Sequence, residues 1–253
     1  MTPPEFDPRS LKREFIDKRL RTHEGAVLDA VAHMLWEFDS AHSMLRVATR
    51  FAAQHLGACR ADFGFGLASA AIYKPEVEWL DQSVEAPSMS LVELPNRDEV
   101  VQRVWRSATP VAYEDCYKQA NVASLREGFR ATRLRSMIAR RLEHQGQAFG
   151  ILCIDQTTHP RRWKDRDYDF VESFCAEFLA PLLVLANQAA GGQRPTAAEL
   201  DAIRLAAQGL SYKQIAARLN KSVRTVEHQL RNARQRLNAA NQADLVLKCQ
   251  RWL

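Results

Sequence analysis

Arg224, Glu227, His228, Arg231 and Arg234 recur at steps of three or four along VRTVEHQLRNARQR, so on a helix they share one face. Arginine can grip guanine O6 and N7 with both arms of its guanidinium, and glutamate can accept from cytosine N4. Laid into a major groove, such a face has the donors and acceptors to tell base pairs apart. Lys213, Lys221 and Thr225 fall near helix starts, where backbone amides already favour phosphate. A basic face can also be a merely solvated one, so the elements carrying these residues decide between the two readings.

Those elements are well punctuated. TAAE at 196–199 and SYKQ at 211–214 have the form of capping boxes, and Gly209 stands where a left-handed helix end is wanted. They predict helices over 197–208, 212–219 and 223–237, with a fourth over 242–252. Ile203, Ile215, Ala216, Leu219, Val226, Leu230, Ala233 and Leu237 then form a trihelical core. The turn NKS is as short as a helix-turn-helix requires. Three capped helices in this arrangement favour contact with duplex DNA over a solvated surface.

The charge is concentrated in the same place. The 253 residues carry a formal net charge of +5. Residues 194–253 hold 11 Lys+Arg against 4 Asp+Glu, a balance of +7, which leaves −2 for the rest. A small basic module joined to a near-neutral larger one predicts that the smaller part meets a polyanion.

LAAQGLSYKQIAARLNKSVRTVEHQLRNARQRLNA resembles the LuxR-type helix-turn-helix of bacterial transcription regulators, in its GLS-x-K-x-IA run and its later S-x-x-TV. The resemblance implies a four-helix DNA-binding domain that reads bases through Glu227, His228 and Arg231. It also implies that the fourth helix mediates dimer contact, with Leu245, Cys249 and Trp252 as its apolar face. Gln229 stands where the family usually has histidine, and Asn238 where it usually has glycine.

Before NQAAGGQRPT at 187–196, whose glycines and proline mark a connection, the pattern changes. Residues 24–56 have helical apolar spacing with a break near Ser40, and ADFGFGLA (61–68), EVEWL (76–80) and PVAYE (110–114) read as strands. SMIARRLEHQGQAFGILCIDQ (136–156) reads as a hairpin turning at HQGQ; its second strand is apolar on both faces, as a central strand would be. A long helix over 165–187 follows. The expected fold is α+β, an antiparallel sheet flanked by helices and followed by a small all-α four-helix domain. The chain divides into a sensor domain (1–188), a linker (189–195) and a DNA-binding domain (196–253).

LRSMIARRLEHQGQAFGILCIDQ with WKDRDYDFVESFCAEFLAPLL is similar to GAF domains, with a serine-led strand, a glycine hairpin, a G-x-L strand and a final helix. This implies a ligand-binding or dimerising regulatory module. Neither the NKFDE motif of cyclic-nucleotide binders nor a bilin-attachment sequence is recognisable. DEVVQRVWRSATPVAYED (98–115) resembles instead the acyl-homoserine-lactone-binding domain of quorum-sensing regulators, with Asp98 in place but Glu99 for the proline and Tyr113 for the tryptophan. On either resemblance Phe65, Tyr73, Trp79, Tyr113, Met137 and Cys153 are candidates for a pocket wall, against the alternative that each is ordinary core.

Other classes fare worse. Cys59, Cys116, Cys153, Cys175 and Cys249 are scattered with no C-x-x-C pair, which argues against a disulfide framework and against a zinc site. Cys59, Cys116 and Cys153 with His144 or His159 as base show no spacing that ties a nucleophile to its base, so an enzyme is not expected, and neither a cofactor nor a metal. The longest apolar run, FLAPLLVLA, is too short to span a bilayer. The expectation is a cytoplasmic regulator that binds double-stranded DNA, answers a small-molecule effector and acts as a homodimer away from membranes.

Overall fold

The computed structural model describes residues 24–189, 195–237, 239–249 and 252–253. It begins with helices α1 (Gly25–Trp36) and α2 (Ala41–Leu56). Between them Ser40 caps α2 by accepting from the Ser43 amide at 3.1 Å, which explains the break in the apolar spacing.

The strands are β1 (Arg60–Phe65), β2 (Ile72–Tyr73), β3 (Val77–Leu80), β4 (Leu94–Pro95), β5 (Val111–Tyr113), β6 (Ser136–His144) and β7 (Gln147–Gln156). Helix α3 (Glu99–Arg106) precedes β5, and α4 (Arg126–Ala131) precedes β6. The main sheet has the order β3-β1-β7-β6-β5, and each of its pairings is antiparallel. Strand β7, expected to be central from its apolar faces, is its middle strand. The β6–β7 turn places Gln145 at φ 51° and Gly146 at φ 77°, the left-handed pair that a tight hairpin needs. Strands β2 and β4 form a separate short ribbon.

Helix α5 (Asp165–Ser173) runs through one wider turn (Phe174–Leu179) into α6 (Ala180–Ala189). These helices and α1–α2 cover one face of the sheet, burying Phe63, Leu152, Ile138, Phe174 and Phe178. The other face is covered by α3, α4 and their flanking loops, around Tyr113, Met137, Phe129 and Trp105. Period-2 alternation divides β1 between the two layers: Ala61, Phe63 and Phe65 join the helix-covered core, while Arg60 and Asp62 turn to the other side.

The C-terminal helices are α7 (Ala197–Ala207), α8 (Tyr212–Arg218), α9 (Val223–Arg236) and α10 (Gln242–Cys249). Both capping boxes form. Thr196 accepts from the Glu199 amide at 3.3 Å while its own amide donates to Glu199 at 2.7 Å, and Ser211 and Gln214 do the same for α8. Gly209 takes φ 81° beyond α7. Helices α7, α8 and α9 close on Ile203, Ile215, Val226, Leu230 and Ala233, as the spacing predicts.

Helix α10 has two allegiances. Leu245, Val246 and Cys249 are buried in the core of its own module, whereas Ala243 and Leu247 belong to the sheet domain's helix-side core. Leu245, Cys249 and Trp252, expected to form a face for a second copy, are therefore turned into the module itself. Polar contacts follow the same boundary: Gln147 donates to the Ala207 carbonyl at 2.9 Å, and Asn241 donates to the Phe65 carbonyl at 3.2 Å and to Glu76.

Candidate nucleic-acid interface and sensor cavity

Helix α9 presents the sequence-predicted reading face outward. Arg224, Thr225, Glu227, His228 and Arg231 are exposed, and Arg234 is half-buried at the far end. Val226, Leu230 and Ala233 hold the opposite side in the core. The Ser222 hydroxyl caps the helix, accepting from the Thr225 amide at 3.0 Å, and lies 2.7 Å from the Thr225 hydroxyl. His228 Nδ1 lies 3.2 Å from Asn232 Nδ2, one turn on. Arg236 is drawn off this face by Glu199, at 2.9 Å, which ties α9 to the start of α7.

The two lysines sit differently. Lys221 is half-buried in the turn between α8 and α9 and donates to Gln229 at 3.4 Å. That bond gives Gln229 a role within the fold. Lys213 is exposed at the start of α8 and lines a crevice of about 1140 Å³ between the two modules, with Lys74, Arg97 and Arg106 on the sheet-domain side. Asn238 lies outside the described residues.

The sheet domain encloses a second, smaller space. A cavity of about 50 Å³ lies between the sheet and α3–α4, walled by Tyr73, Val100, Val104, Phe129, Met137 and Cys153, with Asp62 among its lining. Of the six residues expected at a pocket wall, Tyr73, Met137 and Cys153 line it. Tyr113 packs in the same apolar cluster without lining the space. Phe65 and Trp79 do not join them, because both pack with the helix-covered core on the opposite side of the sheet. Tyr73 is anchored by donating to the Ile151 carbonyl at 3.0 Å. Gly64 makes room for its ring, since a Cβ there would lie 2.8 Å from the Tyr73 hydroxyl.

The polar residues on this side of the sheet escaped the sequence reading. Arg60 donates through Nε to both Asp155 oxygens, at 3.1 and 3.0 Å, and through Nη1 to the Pro87 and Thr132 carbonyls. Burial raises Asp155 to about 6 despite that arginine. Burial also raises Asp62 well above the usual aspartate range, with the Asp155 charge adding to the effect. Cys153 is pushed well up by burial and by the same two carboxylates. The only signal for this set in the sequence is an aspartate inside each of two apolar strands, ADFGF and GILCID.

The thiols weighed as nucleophiles are poorly placed for that chemistry. Burial pushes Cys116 up to about 12 and raises Cys153 well above the usual thiol range, so neither is primed as a thiolate. Cys59 donates to Gln156 at 2.8 Å, and His159 bonds its neighbour Thr158 at 2.8 Å. Asp98, the residue shared with the lactone-binding pattern, is used as the N-cap of α3. It accepts from the Val100 amide at 2.9 Å and from the Ser124 hydroxyl at 3.0 Å, and it does not line the cavity.

Comparison with known proteins follows the same division. The sequence pattern of the GAF domain matches residues 40–192, and that of bacterial regulatory proteins of the luxR family matches residues 196–249. The chain belongs to the GAF-domain family and carries a LuxR-family DNA-binding module behind it. Solved structures agree on the first fold. The phycoerythrobilin-bound GAF domain of a cyanobacterial phytochrome is 11% identical, with a TM-score of 0.52, over 74% of this chain and 100% of that one. A biliverdin-bound protein in its far-red-absorbing dark state is 13% identical, with a TM-score of 0.54, over 65% of this chain and 98% of that one. The free methionine-R-sulfoxide reductase of Neisseria meningitidis, in complex with its substrate, is 13% identical with a TM-score of 0.50, over 66% and 95%. No curated protein gives a significant match.

A GAF sensor joined to a LuxR-type DNA-binding module is the architecture of a transcription regulator. Among the described residues, no helix is long and apolar enough to cross a membrane.

Proposed function

We propose that this GAF–LuxR protein is a sequence-specific regulator that reads duplex DNA through α9 and is governed by occupancy of the cavity beneath α3 and α4. The observation that carries the proposal is the exposed face of α9. It sets Arg224, Glu227, His228 and Arg231 side by side on a helix whose other face is fully committed to the core. Arg231 and Glu227 contact base edges, while Lys213, Lys221 and Thr225 contact phosphate.

The cavity suits a compact effector. Its 50 Å³ is far below the roughly 300–1,000 Å³ that encloses a drug-sized ligand, so in this conformation a bilin has no room. Occupancy would reach the DNA module through the sheet. Strand β7 supplies Ile151 and Cys153 to the cavity, and β7 and α6 both pack against α10. Acting as a dimer, the protein would place two α9 helices on a two-fold-related site.

Selection of a binding site from a randomised duplex library, followed by affinity measurements at two salt concentrations, tests the central claim. A steep loss with salt together with sequence preference supports it. Failure of the folded chain to prefer any duplex overturns it.

A further inference from the structure

The side of the sheet that faces the cavity holds a group of side chains that neither DNA reading nor apolar packing uses. Register places Asp62 of β1 directly opposite Cys153 of β7, and Arg60 opposite Asp155. The Arg60 guanidinium makes four hydrogen bonds, two of them to Asp155, and leaves its Nη2 without a partner. Asp62 is less satisfied still. It is 1% exposed, it borders the cavity, and its Oδ2 has no hydrogen-bond partner. A carboxyl oxygen stranded in this way is costly, and a fold tolerates it where something else satisfies the group.

One carboxylate oxygen from each of Asp62 and Asp155 and the Cys153 sulfur lie within 4.8 Å of one another, all three residues buried. We infer that Asp62, Cys153 and Asp155 form a three-ligand site for a divalent transition-metal ion, zinc or iron(II), with the cavity side left open to a small fourth ligand. The donor set selects the class of ion. A thiolate beside two carboxylates suits a borderline transition ion, whereas calcium takes six to eight oxygens and magnesium six, mostly water. Ligand bonds of about 2.0–2.3 Å set donor-to-donor edges of about 3.3–3.8 Å, so from separations within 4.8 Å the three groups need close by no more than about 1.5 Å around the ion.

Charge fits as well. Two carboxylates and a thiolate offset the ion and the Arg60 guanidinium, which lies 3.0 Å from Asp155, and Glu78, 3.8 Å from Arg60, adds one further negative charge that favours a cation. The Asp155 oxygens keep lone pairs for the metal while accepting from Arg60. Arg60 thereby orients a ligand, in the way outer partners of metal sites do. Any proton on a ligand atom leaves to solvent as the metal binds, so no further reactant is required.

The inference deepens the sensor reading and rests on this cavity being the sensing site, but its test is independent of DNA. The full chain, stripped with chelator, is titrated with cobalt(II) as a spectroscopic probe. One equivalent should bind with a thiolate-to-cobalt charge-transfer band. Cys153→Ser should abolish the band, and Asp62→Asn, which keeps the shape of the side chain, should weaken uptake by at least about tenfold. Cys116→Ser, in the same apolar cluster but outside the three ligands, should change neither.

Circular dichroism of each variant shows whether it folds. Should Cys153→Ser fail to fold, the Asp62→Asn titration decides. Absence of stoichiometric uptake, or a band that survives loss of Cys153, overturns the inference. So does stabilisation of metal-free wild type, but not of Asp62→Asn, by a small organic cation, which would give the stranded oxygen to an organic effector. A chain that takes up cobalt yet prefers no duplex would leave the metal site standing and remove the regulator reading. The reverse outcome would do the opposite.

Discussion

Asn241, at the start of α10, hydrogen-bonds Glu76 across the boundary between the DNA-binding module and the sheet domain. Burial, and then the Asp244 carboxylate, raise Glu76 to about 7, against the opposing pull of Asn241, Lys248 and Lys74. Asn241, Asp244 and Lys248 all come from α10 or its first flanking turn, so the shift belongs in part to the docked arrangement.

The sign of the pH effect follows. Because the docked value lies above the ordinary 4.5, the docked form holds the proton more tightly across that interval. Docking is therefore strongest below the ordinary glutamate range, and weakens as pH rises from there through about 7. The distance between fluorophores placed on the two modules should lengthen with rising pH in the native chain. In Glu76→Gln, which cannot ionise, it should stay constant; an unchanged pH profile in that variant would contradict the assignment.

Arg231 and Lys213 separate base reading from phosphate contact. Arg231→Ala should cost about 1–3 kcal/mol of DNA affinity on the preferred site and much less on a site altered at the base pair it reads. Lys213→Ala should weaken every sequence alike and reduce the salt slope by about one. Binding isotherms on an operator and its single-base variants distinguish the two. Equal losses across all variants for both substitutions would mean that Arg231 does not read bases.

Gly150 tests the packing beneath the cavity. A Cβ at this position would run into the Phe63 ring and would lie 2.9 Å from the Gly64 carbonyl, so the neighbouring strand leaves no room for it. Gly150→Ala should destabilise by about 1–3 kcal/mol through overpacking. Thermal unfolding should show it as a midpoint lower by about 2–4 °C per kcal/mol. A midpoint equal to that of the native chain would show that β1 and β7 can separate without cost.

The C-terminal module could be read from the sequence because its signals are local. Each of its caps pairs residues three apart, and Val226, Leu230, Ala233 and Leu237 mark a helix stripe without help from distant chain. The hairpin at Gln145–Gly146 was visible for the same reason. The cavity was not, since its residues meet only through register. Phe65 looked as suitable as Tyr73 for its wall. Phe65, however, follows the parity of Ala61 and Phe63, and Trp79 pairs with Ala61, so both face the helices. Asp62 and Cys153 are 91 residues apart and become neighbours only once β1 pairs with β7. For the same reason, cysteine spacing along the chain could not reveal a cross-strand set of ligands.

Leu247 tests whether the sheet domain and the DNA-binding module communicate through α10. Its side chain is fully buried in the sheet domain's core, while Leu245 and Val246 on the same helix serve the core of the DNA-binding module. Leu247→Ala therefore removes contact on one side of α10 only. The loss should be about 2–5 kcal/mol if the site cannot collapse, and it should fall on the joint between the modules more than on either core. Scanning calorimetry should then resolve two transitions where the native chain is expected to give one, with operator affinity retained and its response to effector reduced. A single transition with an unaltered midpoint would mean that the two modules unfold independently of this contact, and signalling would need another route.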